Sequence, residues 1–170
     1  MMNKILLSAA FVFTCVTAKS QNYSDAAISF FKKFKTIDAV EAYALQNFPT
    51  LEDCRYVFKG NAAYTYFAKV TEGKKVAAND AKNVETFGDV KVESLSTEEM
   101  ITNNGKNTEA VNFIKERFQP NVMFYMISLR KDKNSDAGNE FKYFVFLNCR
   151  WIMFPKPMIV LSNKDVNDLK

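Results

Sequence analysis

The side chains best suited to chemistry in this 170-residue chain are two cysteines, Cys54 and Cys149, and a group of aromatic and arginine residues near the C terminus. Histidine is absent. That excludes Ser–His–Asp and Cys–His catalysis, imidazole-bound metals and the usual general base near neutrality. Cys54 therefore has no imidazole to raise its thiolate fraction, so a nucleophilic role is disfavoured. The five glycines, Gly60, Gly73, Gly88, Gly105 and Gly138, are too widely spaced to form a loop whose backbone N–H groups could cradle a phosphate. No nucleotide cofactor, and no cofactor of any other kind, is expected.

Three groups of residues could still form a site. Trp151, Tyr143, Tyr125 and Phe124 fall on adjacent predicted strands. They would line a concavity for a small apolar ligand whose anionic end meets Arg130, Arg150 or Arg117. The same residues would serve equally as sheet-facing core, because rings bury large areas. The run Asp132-x-Asn134-x-Asp136-x-Gly138-x-Glu140 offers oxygen ligands at alternate positions. However, Ala137 and Tyr143 stand where a calcium loop needs Gly and Glu, so a plain hairpin loop is expected and no metal site. Lys32-Lys33-x-Lys35 reads as a solvated helix face, and its neighbour Phe31 could help form a basic-aromatic surface. No wider charge pattern suggests nucleic-acid binding.

Cys54 and Cys149 are the cysteines beyond residue 20. In an oxidising compartment they could pair, tying an early helix to the sheet across a long loop. The alternative is two unconnected thiols, with Cys54 packed as a small hydrophobe. Two cysteines allow one pairing but do not fix its geometry.

These residues must be positioned by helices first and strands later. Ser24 and Asp25 suit a helix start, and Ala27, Phe30, Phe31 and Phe34 then recur at helical spacing. Ile37, Val40, Ala44 and Phe48 continue that spacing to Pro49. Thr50 and Asp53 form a capping box for a helix carrying Leu51, Cys54, Val57 and Phe58, which Gly60 should close. Asn61 could cap the next helix, running to Gly73, and a weaker helical stretch follows to Thr86. From Val90 the period changes to that of a strand. Ser96 and Glu99 repeat the capping box, and Asn107 or Thr108 starts a helix with Val111, Ile114 and Phe118 inward. Strands are expected over 122–130, 141–147 and 150–154, with a tight turn at Asn148-Cys149 and an edge strand over 158–161.

The expected class is α+β: a helical N-terminal half packed on a curved antiparallel C-terminal sheet of three to five strands, with helices on one sheet face. This element order resembles the cone-shaped cystatin-like and SnoaL-like folds, in which such a sheet wraps a long helix. The segments Phe48-Pro49-Thr50-x-x-Asp53-Cys54 and Arg150-Trp151-x-x-Phe154-Pro155-Lys156-Pro157 resemble secreted bacterial proteins, and that resemblance implies no catalytic residue.

Residues 1–20 carry the order of a secretory signal: Lys4, an apolar run from Ile5 to Val16, then Ala18 and Ser20 before Gln21. A cut after Ala18 is the second choice. Phe13 and Thr14 are poor lipobox residues before Cys15. Export to the periplasm or the exterior is therefore expected. Residues 21–161 would form one domain and 162–170 a solvated tail. The formal net charge of +4 is modest, and no later apolar run approaches membrane-spanning length. The functional expectation is a non-enzymatic binding or interaction domain for a small apolar or anionic ligand or for a protein. The alternatives are a histidine-independent enzyme with a carboxylate or tyrosine site, and a structural envelope protein that dimerises through its sheet.

Overall fold

The computed structural model describes residues 23–74, 86–135 and 138–162. The signal segment, most of the tail and most of the weak helical stretch after Lys74 lie outside them. The element order is α1 (Ser24–Phe31), α2 (Ile37–Gln46), α3 (Leu51–Val57), α4 (Gly60–Lys74), β1 (Asp89–Ser96), α5 (Thr97–Asn103), α6 (Thr108–Arg117), β2 (Met123–Arg130), β3 (Gly138–Leu147), β4 (Arg150–Met153) and α7 (Pro157–Ser162). The strands form one antiparallel sheet in the order β1-β2-β3-β4, so the class is α+β.

Local chemistry explains most boundaries. Both capping boxes form: Thr50 with Asp53 opens α3, and Ser96 with Glu99 opens α5. Thr36 caps α2 by accepting from Ala39 N–H, and Asn107 caps α6 by accepting from Ala110 N–H. Gly60 does not close α3, as the sequence suggests. The helix ends at Val57, Phe58 turns extended and bridges Phe118, and Gly60 starts α4 at φ 43°. That left-handed angle suits glycine, which has no Cβ to clash. The apolar run at 158–161 is not an edge strand. Pro157 occupies the first position of α7, where its fixed φ and missing N–H fit a helix start.

The largest departure from expectation concerns the sheet faces. Helices cover both of them, so neither the one-faced packing nor a cone around a single helix describes this chain. On one face, Ala27 and Phe31 of α1 and Val40 of α2 pack on Val90, Tyr125, Ile127, Leu129, Phe144 and Trp151. On the other, residues of α3 to α7, including Cys54, Tyr66, Met100, Ile114 and Leu161, pack on Phe124, Val145, Ile152 and Phe154. A bulge reconciles the β3 pattern with these two faces. Register shifts between Tyr125 and Ile127, opposite Tyr143, which has φ 65°. The bulge lets Phe141 and Phe144, three residues apart, share one face.

Candidate functional site

The rings expected to line one concavity are split between the two cores. Trp151 and Tyr125 lie on the α1–α2 face at 3% and 1% exposure, whereas Phe124 (2%) and the partly buried Tyr143 lie on the opposite face. Trp151 is enclosed by Tyr125, Phe146 and Phe31, with ring centroids at 5.0, 5.0 and 5.7 Å. Phe124 meets Tyr143 edge-on at 5.7 Å. Phe31, expected beside the lysine run as a surface ring, is fully buried. The structure therefore gives these side chains to the core.

The arginines meet carboxylates of the chain itself. Arg150 donates to Asp53 Oδ2 at 2.6 Å, and Arg130 donates to Asp89 Oδ2. Arg117 pairs with its neighbour Glu116 on the surface and lies over the Phe113 ring. Asp53 is completely buried. Its Oδ2 also accepts from Thr50 N–H at 2.9 Å and from the Thr50 hydroxyl at 2.7 Å, while Oδ1 accepts from Asn148 Nδ2 at 3.1 Å. One carboxylate thus caps α3, holds the β3–β4 turn and neutralises Arg150. Such a charge can be buried because it is fully hydrogen-bonded.

The turn it holds has an unusual backbone. Asn148 and Cys149 have φ 51° and 59°, as a two-residue type I′ hairpin requires. Leu147 pairs with Arg150 across it. The possible Cys54–Cys149 disulfide is not formed: Cys54 is a free, buried thiol. Its place in α3 turns it into the apolar cluster with Val57, Phe58 and Tyr66. Burial, reinforced by the neighbouring Asp53 charge, pushes the thiol up to about 12. It is thus an inert packing group at neutral pH.

Three tyrosine hydroxyls also bind backbone groups. Tyr43 of α2 donates to Trp151 C=O at 3.0 Å and accepts from Trp151 N–H at 3.2 Å. A single hydroxyl thereby satisfies the outer backbone groups of Trp151 on edge strand β4. Tyr125 OH accepts from Tyr23 N–H at 2.7 Å at the start of α1. Tyr66 OH donates to Pro155 C=O at 3.0 Å. Burial raises all three hydroxyls above their usual range, Tyr66 furthest. None is poised to exchange a proton near neutrality.

Of the acidic loop, Asp132 Oδ1 accepts from Asn134 N–H, an ordinary turn contact, while Asp136 lies outside the described residues. Among the described residues, no group of three or more Cys, Asp or Glu side chains could hold a metal ion, and no helix is long and apolar enough to cross a membrane.

What sequence reasoning missed is a polar area on the sheet. The helices of the α3–α7 layer meet the rows of Leu95, Phe124, Val145 and Ile152. Farther along the same face lie Lys91 and Glu93 of β1, Met126 and the buried Ser128 of β2, and Glu140 and Lys142 of β3, alternating with apolar residues of the opposite face. Lys91 pairs with Glu93 at 2.5 Å and Lys142 with Glu140 at 3.1 Å, and these four side chains remain about half exposed. The signal in the sequence was strict alternation in Val90-Lys91-Val92-Glu93 and Glu140-Phe141-Lys142. Comparison with protein-family models, curated proteins and solved structures returns no match for this chain.

Proposed function

We propose that the chain is an exported, non-catalytic interaction domain that works through its outer surface. The supporting observation is the use of its reactive groups inside the fold. Arg150 and Arg130 are each committed to one internal carboxylate, the Cys54 thiol is held protonated, and the hydroxyls of Tyr43 and Tyr66 serve as backbone clamps. Catalysis needs a nucleophile or acid–base pair with matched proton affinity, converging on a place a substrate can reach. Here the two buried acids, Asp53 of α3 and Asp89 of β1, are each neutralised by a separate arginine. The signal-like order of residues 1–20 supports export.

The test has two arms. Fractionation of producing cells should place the mature chain, beginning at Gln21, in the envelope or medium. Purified protein should show no turnover on a panel of ester, phosphate, glycoside and peptide substrates. Steady turnover lost on a single substitution at Asp89 or Glu140, in protein that still unfolds cooperatively, would overturn the non-catalytic reading.

A further inference from the structure

Basic side chains gather where the ends of α3 and α6 meet. Phe58 and Phe118 form an antiparallel bridge there, and both rings turn into the core. The next pair outward is Lys59 and Arg117, joined by Lys59 N–H donating to Arg117 C=O at 2.7 Å. Neighbouring residues of an antiparallel bridge alternate faces, so these two side chains turn away from the core side by side. Lys59 Nζ donates to Lys115 C=O at 2.6 Å, and Gln119 Nε2 donates to Arg55 C=O at 3.2 Å. One short bridge thus collects Arg55, Lys59, Lys115 and Arg117 from α3, α6 and the link before α4.

Part of this basic character has a local use. Arg55 sits in the last turn of α3, and Lys115 and Arg117 sit in the last turn of α6, where the helix dipole favours cations. The dipole does not explain bringing the two ends together, since like charges placed opposite one another cost stability. Nor do carboxylates relieve the crowding. Arg117 pairs with Glu116, but among the described residues Arg55, Lys59 and Lys115 have no carboxylate partner, and Glu52, one turn earlier on α3, does not pair with Arg55. The other arginines, Arg117, Arg130 and Arg150, each meet an acid. Arg55 is held instead by Tyr64: its guanidinium donates to the hydroxyl at 2.5 Å and lies 5.1 Å from the ring centroid. That tyrosine is itself 50% exposed. A guanidinium fixed in this way keeps further N–H donors open to an oxyanion.

We infer that the surface carrying Arg55, Lys59, Tyr64, Lys115 and Arg117 docks the chain on a membrane whose lipids bear anionic phosphate headgroups. This deepens the interaction-domain reading and rests on it, because export would bring the chain to the envelope. Cations spread over a surface match an array of phosphates better than one small anion does. A half-exposed tyrosine beside them, apolar in its body and polar at its tip, is a ring type that favours the level of the headgroups. Attachment of this kind is electrostatic, so it is reversible and weakens as salt is raised. Lys32 and Lys33 provide an internal comparison. They follow α1, which covers the opposite sheet face from α3, α4 and α6.

Flotation with lipid vesicles tests it, using the processed chain from Gln21 so that the apolar run from Ile5 to Val16 adds no attachment of its own. The chain should float with vesicles of phosphatidylglycerol and phosphatidylcholine at low salt, and not with phosphatidylcholine alone. Arg55→Ala combined with Lys115→Ala should lower the partition coefficient about 25-fold, at about fivefold for each charge removed. Lys32→Ala combined with Lys33→Ala removes as much charge from the other side of the sheet and should leave the coefficient within about twofold. Thermal unfolding of each variant establishes that it is folded. Lys115→Glu alone, at an exposed position, reverses one charge and carries the test if the first double variant is unstable. It should also weaken binding about 25-fold. No flotation at low salt, equal losses from the two double variants, or binding to a single-stranded oligonucleotide but not to vesicles would each overturn the inference. Each of those results would leave the interaction-domain reading standing, because that reading fails on the separate turnover panel.

Discussion

Replacing Asp53 with Ala should remove more stability than any other single polar substitution among the described residues. The carboxylate is fully buried and accepts from Thr50 N–H, the Thr50 hydroxyl, Asn148 Nδ2 and Arg150. Losing one arm of a capping box costs about 1 kcal/mol. Removing one partner from a buried ion pair costs about 3–5 kcal/mol where the other stays buried. The Arg150 side chain is 28% exposed, so its guanidinium can partly rehydrate, which discounts that figure. The two contributions together give about 3 kcal/mol. Thr50→Ala, which leaves the Arg150 and Asn148 contacts, should cost only about 1 kcal/mol. Urea unfolding followed by Trp151 fluorescence measures both, with the slope checked for two-state behaviour. A double-mutant cycle of Asp53→Ala with Arg150→Ala should return a coupling of at least about 1 kcal/mol. If Asp53→Ala costs no more than Thr50→Ala, the carboxylate is only a helix cap, and its role in holding the sheet to α3 is refuted.

Trp151→Ala removes the chain's one tryptophan, so its stability is read by urea unfolding followed by far-UV circular dichroism; it should fall by about 3–5 kcal/mol, because the indole contacts Tyr125, Phe146 and Phe31 in a closed core. A loss under about 1 kcal/mol would mean that the ring is not core. Native protein at pH 8 should leave Cys54 unlabelled by a thiol reagent until it unfolds, and immediate labelling would contradict its burial. On the alkaline side, the folded Cys54 and Tyr66 hold their protons more tightly than the unfolded chain does. The Cys54 contribution to stability is full below the thiol's ordinary value of 9.0 and is lost as pH rises from there toward about 12, while that of Tyr66 begins to fall only above 10.0, which urea midpoints from pH 9.0 upward should show. A midpoint that does not fall would reject the assignment. Lys156→Gly should stabilise the fold by about 0.5–1 kcal/mol, since Lys156 is exposed at φ 45°, where a side chain is strained. A loss there would show that the lysine side chain contributes packing that outweighs the backbone.

Local chemistry was legible in the sequence and tertiary assignment was not. Thr50 with Asp53 and Ser96 with Glu99 could be read as capping boxes because the motif is complete within four residues. The Asn148-Cys149 turn was readable for the same reason. Met158-Ile159-Val160-Leu161 reads as a strand because it is short and wholly apolar, a run without period, whereas in the fold it continues the helix that Pro157 opens. Gly60 was read as an ending because the extended Phe58, held by its bridge to Phe118, is a long-range pairing. The bulge at Tyr143 was equally hidden, and with it the division of the C-terminal aromatic residues between two faces. A strand that is apolar on both sides indicates that both faces are covered, but not by which helices.

The arginine reading was nearer to the chemistry than to the function. Arg130 and Arg150 were singled out as anion contacts at strand ends, and each does meet an anion. The anion is supplied by the chain: Asp89 on the neighbouring strand and Asp53 of α3 at the turn into β4. A sequence shows that an arginine needs a counter-charge, yet many acidic residues could provide it, so an internal partner and a ligand look alike until the fold is known. The same ambiguity has the opposite outcome at Lys91, Glu93, Glu140 and Lys142. There each charge also has an in-strand partner, but the pairs stand in solvent and leave most of their capacity unused. Buried pairs such as Asp53–Arg150 fix the molecule's own geometry because desolvation makes any misfit costly. Exposed pairs cost little to rearrange and little to lose. On this argument the buried charges hold the fold together, while the exposed pairs on β1 and β3 contribute little to it.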